Sequence, residues 1–399
     1  MTRALIIGGG IAGTVTAIAL REAGLEPVVH EAYGRTADGV GAFLSLAVNG
    51  LDALDAVGLK GPVWEQGFDT PDFAFYNGNG KRLGEIAGKS ALPDGTVMRT
   101  VLRADLYRVL RDEAERRGIR VEYGKRLTGA SGTGTGVRAE FADGSHAEGD
   151  LLVGADGLHS RVRGIIDPQA PGPHYLGLLN TGGHARGVTV DGRPGTAYMI
   201  FGKRCFFCYL PHPDGSVWWF ANPPRRDEPG KAELDAITDE RWRAELVRLA
   251  AVDKGPARAI IEASTHVYRP WPTYDFPSVP NWYRDRMIII GDAAHATSPA
   301  SGQGASMAME DAVTLARCLR DLEGVPAAFA RYEQLRRERV EAIVAQGRRN
   351  TTAKTPGPVG RLVRDFFIAK EFKKFTANPE DPQRWMWDHH IDWSTPVAA

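Results

Sequence analysis

Three glycines near the N-terminus have the spacing of a phosphate-binding turn. Gly8, Gly10 and Gly13 follow an apolar run at residues 4–7 and open a helical pattern at residues 11–23. The first glycine permits a tight turn, the second lets the backbone approach a pyrophosphate, and the third lets the helix pack on the strand. Free N–H groups at a helix N-terminus bind phosphate oxygens. The pattern predicts a dinucleotide site, and an ordinary glycine-rich turn is the alternative.

Glu31 adds a further contact to the predicted dinucleotide site. It ends the apolar run at residues 27–30, eighteen residues beyond Gly13, where a carboxylate can accept hydrogen bonds from the hydroxyls of an adenosine ribose. The first helical residues, Ile11 and Ala12, complete the predicted phosphate contacts. These residues favour dinucleotide binding but do not distinguish NAD from FAD.

A second glycine-rich turn, about 280 residues further along the chain, favours a flavin. There another apolar run ends in Gly291-Asp292, and glycines again precede a helical pattern. NAD does not need a second site of this kind, whereas the ribityl chain and isoalloxazine ring of a flavin extend beyond the pyrophosphate. We predict that Asp292 binds a ribityl hydroxyl.

The start of the second helix is predicted to contact the flavin ring. Backbone N–H groups at residues 302–306, which include Gly304 and Ala305, would face the ring edge that carries negative charge in reduced flavin. The residues predicted to line the isoalloxazine ring are Pro299, Gly302, Gln303 and Gly304.

The composition is that of a globular protein. The 399 residues are 43% apolar and 25% charged, and 49 basic residues balance 49 acidic ones. A net charge of zero argues against nucleic-acid or acidic-membrane partners, and no apolar run approaches the ~18 residues of a membrane span. Three cysteines exclude a disulfide scaffold. Because a strand pattern begins at residue 4 with no signal peptide before it, we predict a cytoplasmic protein.

Hydrophobic periodicity divides the chain into two interleaved domains and a tail. The predicted nucleotide-binding domain comprises residues 1–66, 99–163 and 281–350. The predicted antiparallel sheet domain comprises residues 67–98 and 164–280, with strands at 196–201, 204–210 and 216–222. Residues 351–399 are predicted to form a tail that is partly helical. Two further predictions are a helix over residues 99–117 and a single parallel strand over residues 283–290.

In this order the motifs resemble those of class A, single-component flavoprotein aromatic monooxygenases, the p-hydroxybenzoate hydroxylase-like family. The first motif is the N-terminal glycine turn with Glu31, and the third is the turn at residues 291–304. The second, at residues 154–163, resembles the Asp-Gly motif that the family shares, and Arg103 matches an arginine that contacts the flavin. The resemblance therefore adds three cofactor residues, Arg103, Asp156 and Gly157. It covers about residues 1–350.

The resemblance implies an α/β fold, α+β overall, with a Rossmann-like FAD-binding domain of the GR2 type, an inserted antiparallel substrate sheet and C-terminal helices. It also implies non-covalent FAD that NAD(P)H reduces and that reacts with O₂ at C4a. The resulting hydroperoxide hydroxylates an electron-rich aromatic or heteroaromatic small molecule, phenol-like or indole-like, in a site that must exclude water. The expected assembly is a monomer or homodimer.

Other functions stay open at this point. An epoxidase acting on an alkene or an isoprenoid would share the same motifs, and so would a non-catalytic flavin-binding protein. A halogenase is disfavoured, because the W-x-W-x-I-P signature of those relatives is absent. A pyridine-nucleotide dehydrogenase would leave the second glycine-rich turn unexplained.

The aromatic strands at residues 196–222 supply the candidate substrate contacts, and no catalytic base is identifiable. Because successive side chains on a strand point to opposite faces, about half of them must face the flavin, and the sequence does not tell which half. The predicted substrate-binding residues are Tyr198, Arg204, Tyr209 and Trp218.

Three further features are predicted to be structural. Cys205 and Cys208 have C-x-x-C spacing, but residues three apart on a strand point to opposite faces, which disfavours a redox or metal pair. His295 is expected to pack in the core. The charged helix at residues 331–349 is expected to be a solvated amphipathic helix, with an oligomer face as the alternative. No metal site is predicted.

Overall fold

The computed structural model describes residues 1–34, 42–87, 91–354, 357–377 and 384–398. Small parts of all three predicted regions therefore lie outside the described residues. These parts are 35–41 of the nucleotide-binding domain, 88–90 of the sheet domain, and 355–356, 378–383 and 399 of the tail.

Strands and helices alternate at the start of the chain, and a long run of strands follows. The strands are β1 (Arg3–Ile7), β2 (Glu26–Glu31), β3 (Phe43–Leu46), β4 (Phe68–Asp69), β5 (Asp72–Asn77), β6 (Arg82–Ile86), β7 (Arg99–Leu102), β8 (Arg120–Tyr123), β9 (Leu127–Gly132), β10 (Val137–Phe141), β11 (His146–Gly149), β12 (Leu151–Gly154), β13 (His174–Ala185), β14 (Thr196–Phe201), β15 (Phe206–Pro211), β16 (Val217–Asn222), β17 (Ser264–Val267), β18 (Trp271–Asp275), β19 (Tyr283–Arg284) and β20 (Met287–Ile289).

Short helices lie between the strands, and longer helices occupy the last quarter of the chain. The helices are α1 (Ile11–Glu22), α2 (Val48–Asp55), α3 (Lys60–Trp64), α4 (Arg103–Arg116), α5 (Arg161–Ile166), α6 (Lys231–Asp235), α7 (Asp239–Ala250), α8 (Ala257–Glu262), α9 (Asp292–His295), α10 (Gly304–Asp321), α11 (Val325–Thr352), α12 (Pro358–Ala377) and α13 (Arg384–Trp387), with a 3₁₀ turn at Pro299–Ser301.

A mainly parallel sheet positions the predicted cofactor motifs. Its order is β8-β2-β1-β12-β20-β19, and all neighbours are parallel except β19, which pairs antiparallel with β20. The strands β1 and β12 are apolar and buried, as strands covered on both faces must be. The carboxyl ends of β1, β12 and β20 meet at one edge of the sheet. The residues after these three strands, at 8–10, 155–157 and 291–292, therefore lie together.

The second large sheet is mainly antiparallel. Its order is β17-β13-β16-β15-β14-β5-β6, with β18 paired to β13, and β5 runs parallel to β14. One face packs on α7 and α8 around the fully buried Trp219. The other face carries a smaller apolar cluster that includes Phe206 and Trp218. Pairing of β5 with β14 joins the predicted segments 67–98 and 164–280 in one sheet and supports the domain division, which stays a prediction.

Two predicted elements are wrong in detail. The single parallel strand at residues 283–290 is instead a tight hairpin, because Asp285 adopts a left-handed conformation with φ of 54° and reverses the chain between β19 and β20. The helix predicted over residues 99–117 begins only at Arg103. Residues 99–102 form β7, which pairs with β3 and β4 in a separate small sheet. In the described parts of the chain, no helix is long and apolar enough to cross a membrane.

Candidate functional site

A cavity of about 1870 Å³ connects the carboxyl edge of the parallel sheet with the antiparallel sheet. This volume exceeds the ~300–1,000 Å³ of ordinary small-molecule sites, so it has room for a dinucleotide and a second ligand. Every predicted cofactor or ring-lining residue except Gly13 is in its wall. These residues are Gly8, Gly10, Ile11, Ala12, Glu31, Arg103, Asp156, Gly157, Asp292, Pro299, Gly302, Gln303, Gly304 and Ala305.

Glycine is needed at the three N-terminal positions for different structural reasons. Gly8 has φ of 105°, and a Cβ there would lie 2.5 Å from the carbonyl oxygen of Ala155. A Cβ on Gly13 would lie 1.9 Å from the carbonyl oxygen of Gly8, so this glycine holds α1 against β1. Around Gly10 the nearest atom is the Cε1 of Tyr107 at 3.8 Å, and φ is −75°, which any residue adopts. The protein itself leaves space beside Gly10, which is where a pyrophosphate needs it.

Glu31 is held at the end of β2 by two backbone donors. Its Oε2 accepts a hydrogen bond from the N–H of Gly9 at 2.6 Å, and its Oε1 accepts one from the N–H of Tyr33 at 2.9 Å. Each carboxylate oxygen retains further acceptor capacity, so a fixed, charged acceptor faces the cavity beside the glycine turn. This geometry fits the ribose contact that the sequence predicts.

Asp156 caps a helix as well as lining the cavity. Its carboxylate accepts hydrogen bonds from the N–H groups of Arg161 at 2.7 Å and Val162 at 3.1 Å, and from the Ser160 hydroxyl at 2.5 Å. Burial raises the pKa of Asp156, and these hydrogen bonds offset part of the rise. The residue therefore fixes the start of α5, which the sequence did not reveal, and brings Gly157 to the cavity wall.

The second and third motifs are joined by Arg163. This buried side chain donates from Nη1 to the carbonyl oxygen of Ala293 and from Nη2 to that of Leu158, both at 2.9 Å. Its guanidinium also lies 4.3 Å from the ring centroid of Phe276. The turn that carries Asp292 is thereby tied to the loop that carries Gly157.

Asp292 is exposed to the cavity at the first position of α9. No hydrogen bond from a described residue reaches its carboxylate, so it does not cap the turn. Arg103 lies close enough for the charge of Asp292 to affect its pKa. Burial lowers the pKa of Arg103, but Tyr107 and Asp292 raise it by more, so the pKa rises overall. Arg103 also donates from Nε to the Tyr107 hydroxyl at 3.0 Å. A cation and a carboxylate with unused acceptor capacity therefore face the middle of the cavity.

A buried ion network supports the third motif, and sequence reasoning missed it. Glu310 and Asp311 on α10 are fully buried, and Arg336 on α11 donates to both, at 2.5 and 2.8 Å. Asp311 in turn accepts hydrogen bonds from the backbone N–H of Gly291 at 2.9 Å and from the His295 ring at 2.5 Å. The network therefore holds the Gly291-Asp292 turn in place. Adjacent carboxylates within the mostly apolar stretch at residues 307–316 were the signal available in the sequence.

Glu310 extends the network to the predicted ring-lining loop. It accepts a hydrogen bond from the Asn49 amide at 2.6 Å, and Asn49 donates to the Gln303 side chain at 2.8 Å. Burial raises the pKa of Glu310, but Arg336 and Arg339 lower it by more than that rise. The pKa therefore falls to about 2. Helix α11 is amphipathic, as predicted, and buries Tyr332, Ile343 and Val344. Its charged residue Arg336, expected on the solvated face, is buried as well.

None of the four predicted substrate residues lines the cavity. Tyr198 and Tyr209 stack with ring centroids 4.8 Å apart on the face of the sheet that packs on α7 and α8, and Arg204 is exposed in a turn. Trp218 is on the cavity side of the sheet but packs on His212. In β14, β15 and β16, the residues that line the cavity are instead Met199, Phe201, Phe206 and Phe220.

The placement of these side chains follows from the two-residue period of a strand. Neighbours in sequence point to opposite faces, so Met199 faces the cavity and Tyr198 does not. Cys205 and Cys208 likewise belong to the clusters on opposite faces. Burial raises the pKa of the Cys205 thiol to about 12, which keeps it protonated and argues against redox chemistry.

Comparison with known proteins identifies the family. A family model described as an FAD binding domain matches residues 1–347. The chain belongs to this family of FAD-binding proteins. Aurachin C monooxygenase/isomerase of Stigmatella aurantiaca is 32% identical over 347 residues, 86% of this chain and 86% of the relative. FAD-dependent urate hydroxylase of Klebsiella pneumoniae is 31% identical over 358 residues, 87% of this chain and 89% of the relative.

The fold agrees with this family. The crystal structure of Klebsiella pneumoniae HpxO complexed with FAD and uric acid has a TM-score of 0.84 to this chain at 26% identity. The comparison covers 97% of this chain and 96% of that one. The predictions of FAD as the cofactor, of the family's α/β fold and of an FAD-dependent monooxygenase are confirmed. The individual cofactor contacts stay predictions.

The assignment of Asp292 to the ribityl chain can be tested in the apoprotein. Asp292→Ala removes the acceptor and is expected to lower FAD affinity without unfolding the protein, because no described residue donates a hydrogen bond to this carboxylate. Asp292→Asn keeps a carbonyl oxygen but loses the charge, so we expect FAD affinity to fall roughly tenfold, about 1.4 kcal/mol. FAD titrations and melting curves measure both quantities.

Asp235→Asn, at an exposed position outside the cavity, is the matched control for this test. Unchanged FAD affinity together with a lowered melting temperature in the Asp292 variants would contradict the ribityl assignment, since it would mean that the carboxylate only stabilises the turn.

Proposed function

We propose that this protein hydroxylates an electron-rich aromatic or heteroaromatic small molecule that carries an oxygen substituent on its ring. The reaction would use FAD that NADH or NADPH reduces. The observation that carries the proposal is the continuous cavity between the glycine turn and the aromatic face of the antiparallel sheet. Relatives named for urate, for 6-hydroxynicotinate and for 3-amino-4-hydroxybenzoate support this substrate class.

FAD, when bound, supplies the transfer of one oxygen atom from O₂ to the substrate. The residues of this chain supply binding and orientation. Gly10 leaves room for the pyrophosphate, Glu31 would accept from the ribose, and Asp292 would accept from the ribityl chain. The N-terminus of α10, where no side chain caps the first N–H groups, would stabilise negative charge on the ring edge.

Water exclusion is the second task of the protein, because water that reaches the reacting oxygen diverts it from the substrate. The aromatic end of the cavity is lined by Phe73, Phe75, Phe201, Phe206, Phe220, Phe367 and Phe372. Phe372 of α12 lies with its ring centroid 4.7 Å from that of Phe75. Helix α12 therefore closes one side of the aromatic end of the cavity, although it lies outside the family motifs.

Substrate-stimulated oxidation of NADH or NADPH tests the proposal. The FAD-loaded protein is assayed with phenols, indoles, hydroxypyridines and hydroxyquinolines, and at least one class is expected to accelerate oxidation several-fold over the rate without substrate. Protein freed of FAD is the control. Retained FAD without stimulation by any class would contradict the proposed substrate class.

Two predictions about the whole protein remain proposals. We expect it to act in the cytoplasm, on its substrate and O₂, without a nucleic-acid partner. A monomer or a homodimer is the expected assembly, which light scattering of the purified protein measures.

A further inference from the structure

Lys354 lies where the ring-lining loop meets the aromatic sheet. The last turn of α11 is fixed on that loop by two contacts: Asn350 donates to the carbonyl oxygen of Ala300 at 3.0 Å, and the hydroxyls of Thr351 and Ser298 lie 2.6 Å apart. Lys354 lies two residues after the end of this helix, and its side chain lines the cavity. Its position is therefore set by the same loop that is predicted to hold the flavin ring.

The surroundings of this lysine are apolar, apart from one amide. The residue is only 8% exposed, and its Nζ lies 4.2 Å from the ring centroid of Phe206 and 5.8 Å from that of Phe220. The Nζ donates to the Oδ1 of Asn222 at 2.6 Å. Burial lowers the pKa of Lys354 to about 8.

A short chain of amides orients this acceptor. Asn222 donates from Nδ2 to the Oδ1 of Asn180 at 2.8 Å, and Asn180 donates to the Thr273 hydroxyl at 2.8 Å. The ammonium group of Lys354 can only donate, and the Nδ2 group of Asn222 is turned towards Asn180. The Oδ1 of Asn222 therefore faces Lys354. The arrangement is therefore built around a donor at the lysine position.

The ammonium group has unused capacity. It carries three N–H donors, and Asn222 is the acceptor that the described residues provide. No carboxylate among the described residues forms an ion pair with Lys354, in contrast to Lys125 at the other end of the cavity, which pairs with Asp143 at 2.7 Å. A buried cation without an anion is costly, so a site of this kind favours an anionic ligand.

We propose that Lys354 binds an ionised oxygen substituent of the aromatic substrate, that is, a phenolate or enolate oxygen. This inference rests on the proposed function and specifies its substrate: a ring with an acidic hydroxyl that stacks near Phe206 and Phe220. The hydroxyl proton leaves to water when the anion binds, and Lys354 stays protonated in the pair. The charge on the oxygen raises the electron density of the ring, which favours its attack on an electrophilic oxygen atom.

Two matched pairs of compounds test this role in the FAD-loaded protein. They are 4-nitrophenol with 4-nitroanisole, and 4-hydroxyquinoline with 4-methoxyquinoline, in which only the hydroxyl proton is replaced by methyl. Dissociation constants come from the change in flavin absorbance. The native protein should prefer the hydroxyl compound of each pair, and the bound 4-nitrophenol should show the spectrum of its anion below its solution pKa.

Lys354→Met removes the charge at nearly constant volume, and Lys354→Gln keeps a donor for Asn222 without the charge. In both variants the affinity for the hydroxyl compounds should fall by roughly ten- to a hundredfold, the effect of a lost charged hydrogen bond. Their affinity for the ethers and their FAD content should not change. Lys254→Met, at an exposed position outside the cavity, should behave as the native protein.

The outcomes separate this inference from the proposed function. If the native protein binds both compounds of each pair equally, or binds neither, the role of Lys354 is wrong. It is also wrong if Lys354→Met and Lys354→Gln keep the preference. If the preference depends on Lys354 but no aromatic compound accelerates NAD(P)H oxidation, the ion pair stands and the proposed function fails.

Discussion

Arg336→Leu is expected to lower the free energy of unfolding by about 3–5 kcal/mol, because it leaves buried carboxylates without their principal cation. Among the described residues, Asp311 would keep His295 and the N–H of Gly291, and Glu310 would keep Arg339 and Asn49. Denaturant unfolding of the apoprotein measures the change. FAD affinity should fall as well, since Asp311 holds the turn that carries Asp292.

Arg349→Leu is the matched control, because Arg349 is an exposed arginine on the same helix. Its effect should stay within about 0.5 kcal/mol. Equal stability of the two variants would mean that the buried network contributes nothing to the fold beyond what leucine packing replaces.

The same network makes the fold sensitive to acid. Burial raises the pKa of Glu310, but Arg336 and Arg339 depress it to about 2 in the folded protein, from about 4.3 in an unfolded chain. A depressed folded-state pKa stabilises the fold fully above the unfolded value, and that contribution is lost as the pH falls from about 4.3 towards 2. In Arg336→Leu the depression is smaller, so the melting temperature should depend less on pH over this window.

Gly10→Val is expected to abolish FAD binding while the apoprotein still folds. Apart from its chain neighbours, no atom of the described residues lies closer than 3.8 Å to a Cβ at this position. The backbone conformation also suits valine, so unfolding stability should change by only about 1 kcal/mol, as for other helix N-cap changes. The added methyl groups would instead occupy the space that the pyrophosphate needs. Flavin absorbance of the purified protein and a denaturant melt give the two measurements.

Gly13→Ala should behave in the opposite manner. Its Cβ would overlap the carbonyl oxygen of Gly8 at 1.9 Å, so the turn must shift, and overpacking of this kind costs about 1–3 kcal/mol. The apoprotein itself therefore loses stability, whether or not FAD binds. If Gly10→Val retained a full complement of FAD, the pyrophosphate could not lie on this turn.

Local chemistry explains which parts of the site could be predicted. Gly8 and Asp292 could be predicted because each lies just after an apolar run typical of a buried parallel strand, whereas Asp156 followed from the family resemblance. The parallel pairing of β1, β12 and β20 brings the three turns together. Gly8 and Gly13 are required by backbone contacts within a few residues or across one strand. Such constraints leave a pattern in the sequence that does not depend on the rest of the fold.

The substrate end could not be predicted, because it depends on register and on distant partners. A shift of one residue decides whether Tyr198 or Met199 faces the cavity, and both are large apolar residues in the same strand. Arg336 looks like any charge of a solvated helix until its partners, 25 and 26 residues earlier, are known to be buried. Lys354 lies just beyond the motifs, and its burial arises from strands β15 and β16.

The fate of O₂ in the oxidation assay tests the central claim most directly. With ¹⁸O₂, NADH or NADPH and an aromatic compound that stimulates oxidation, we predict that the product gains one labelled oxygen atom for each reduced nicotinamide consumed. Mass spectrometry of the product measures this ratio. Oxidation that yields only hydrogen peroxide with every stimulating compound, or a hydroxyl group that carries oxygen from water, would contradict the account.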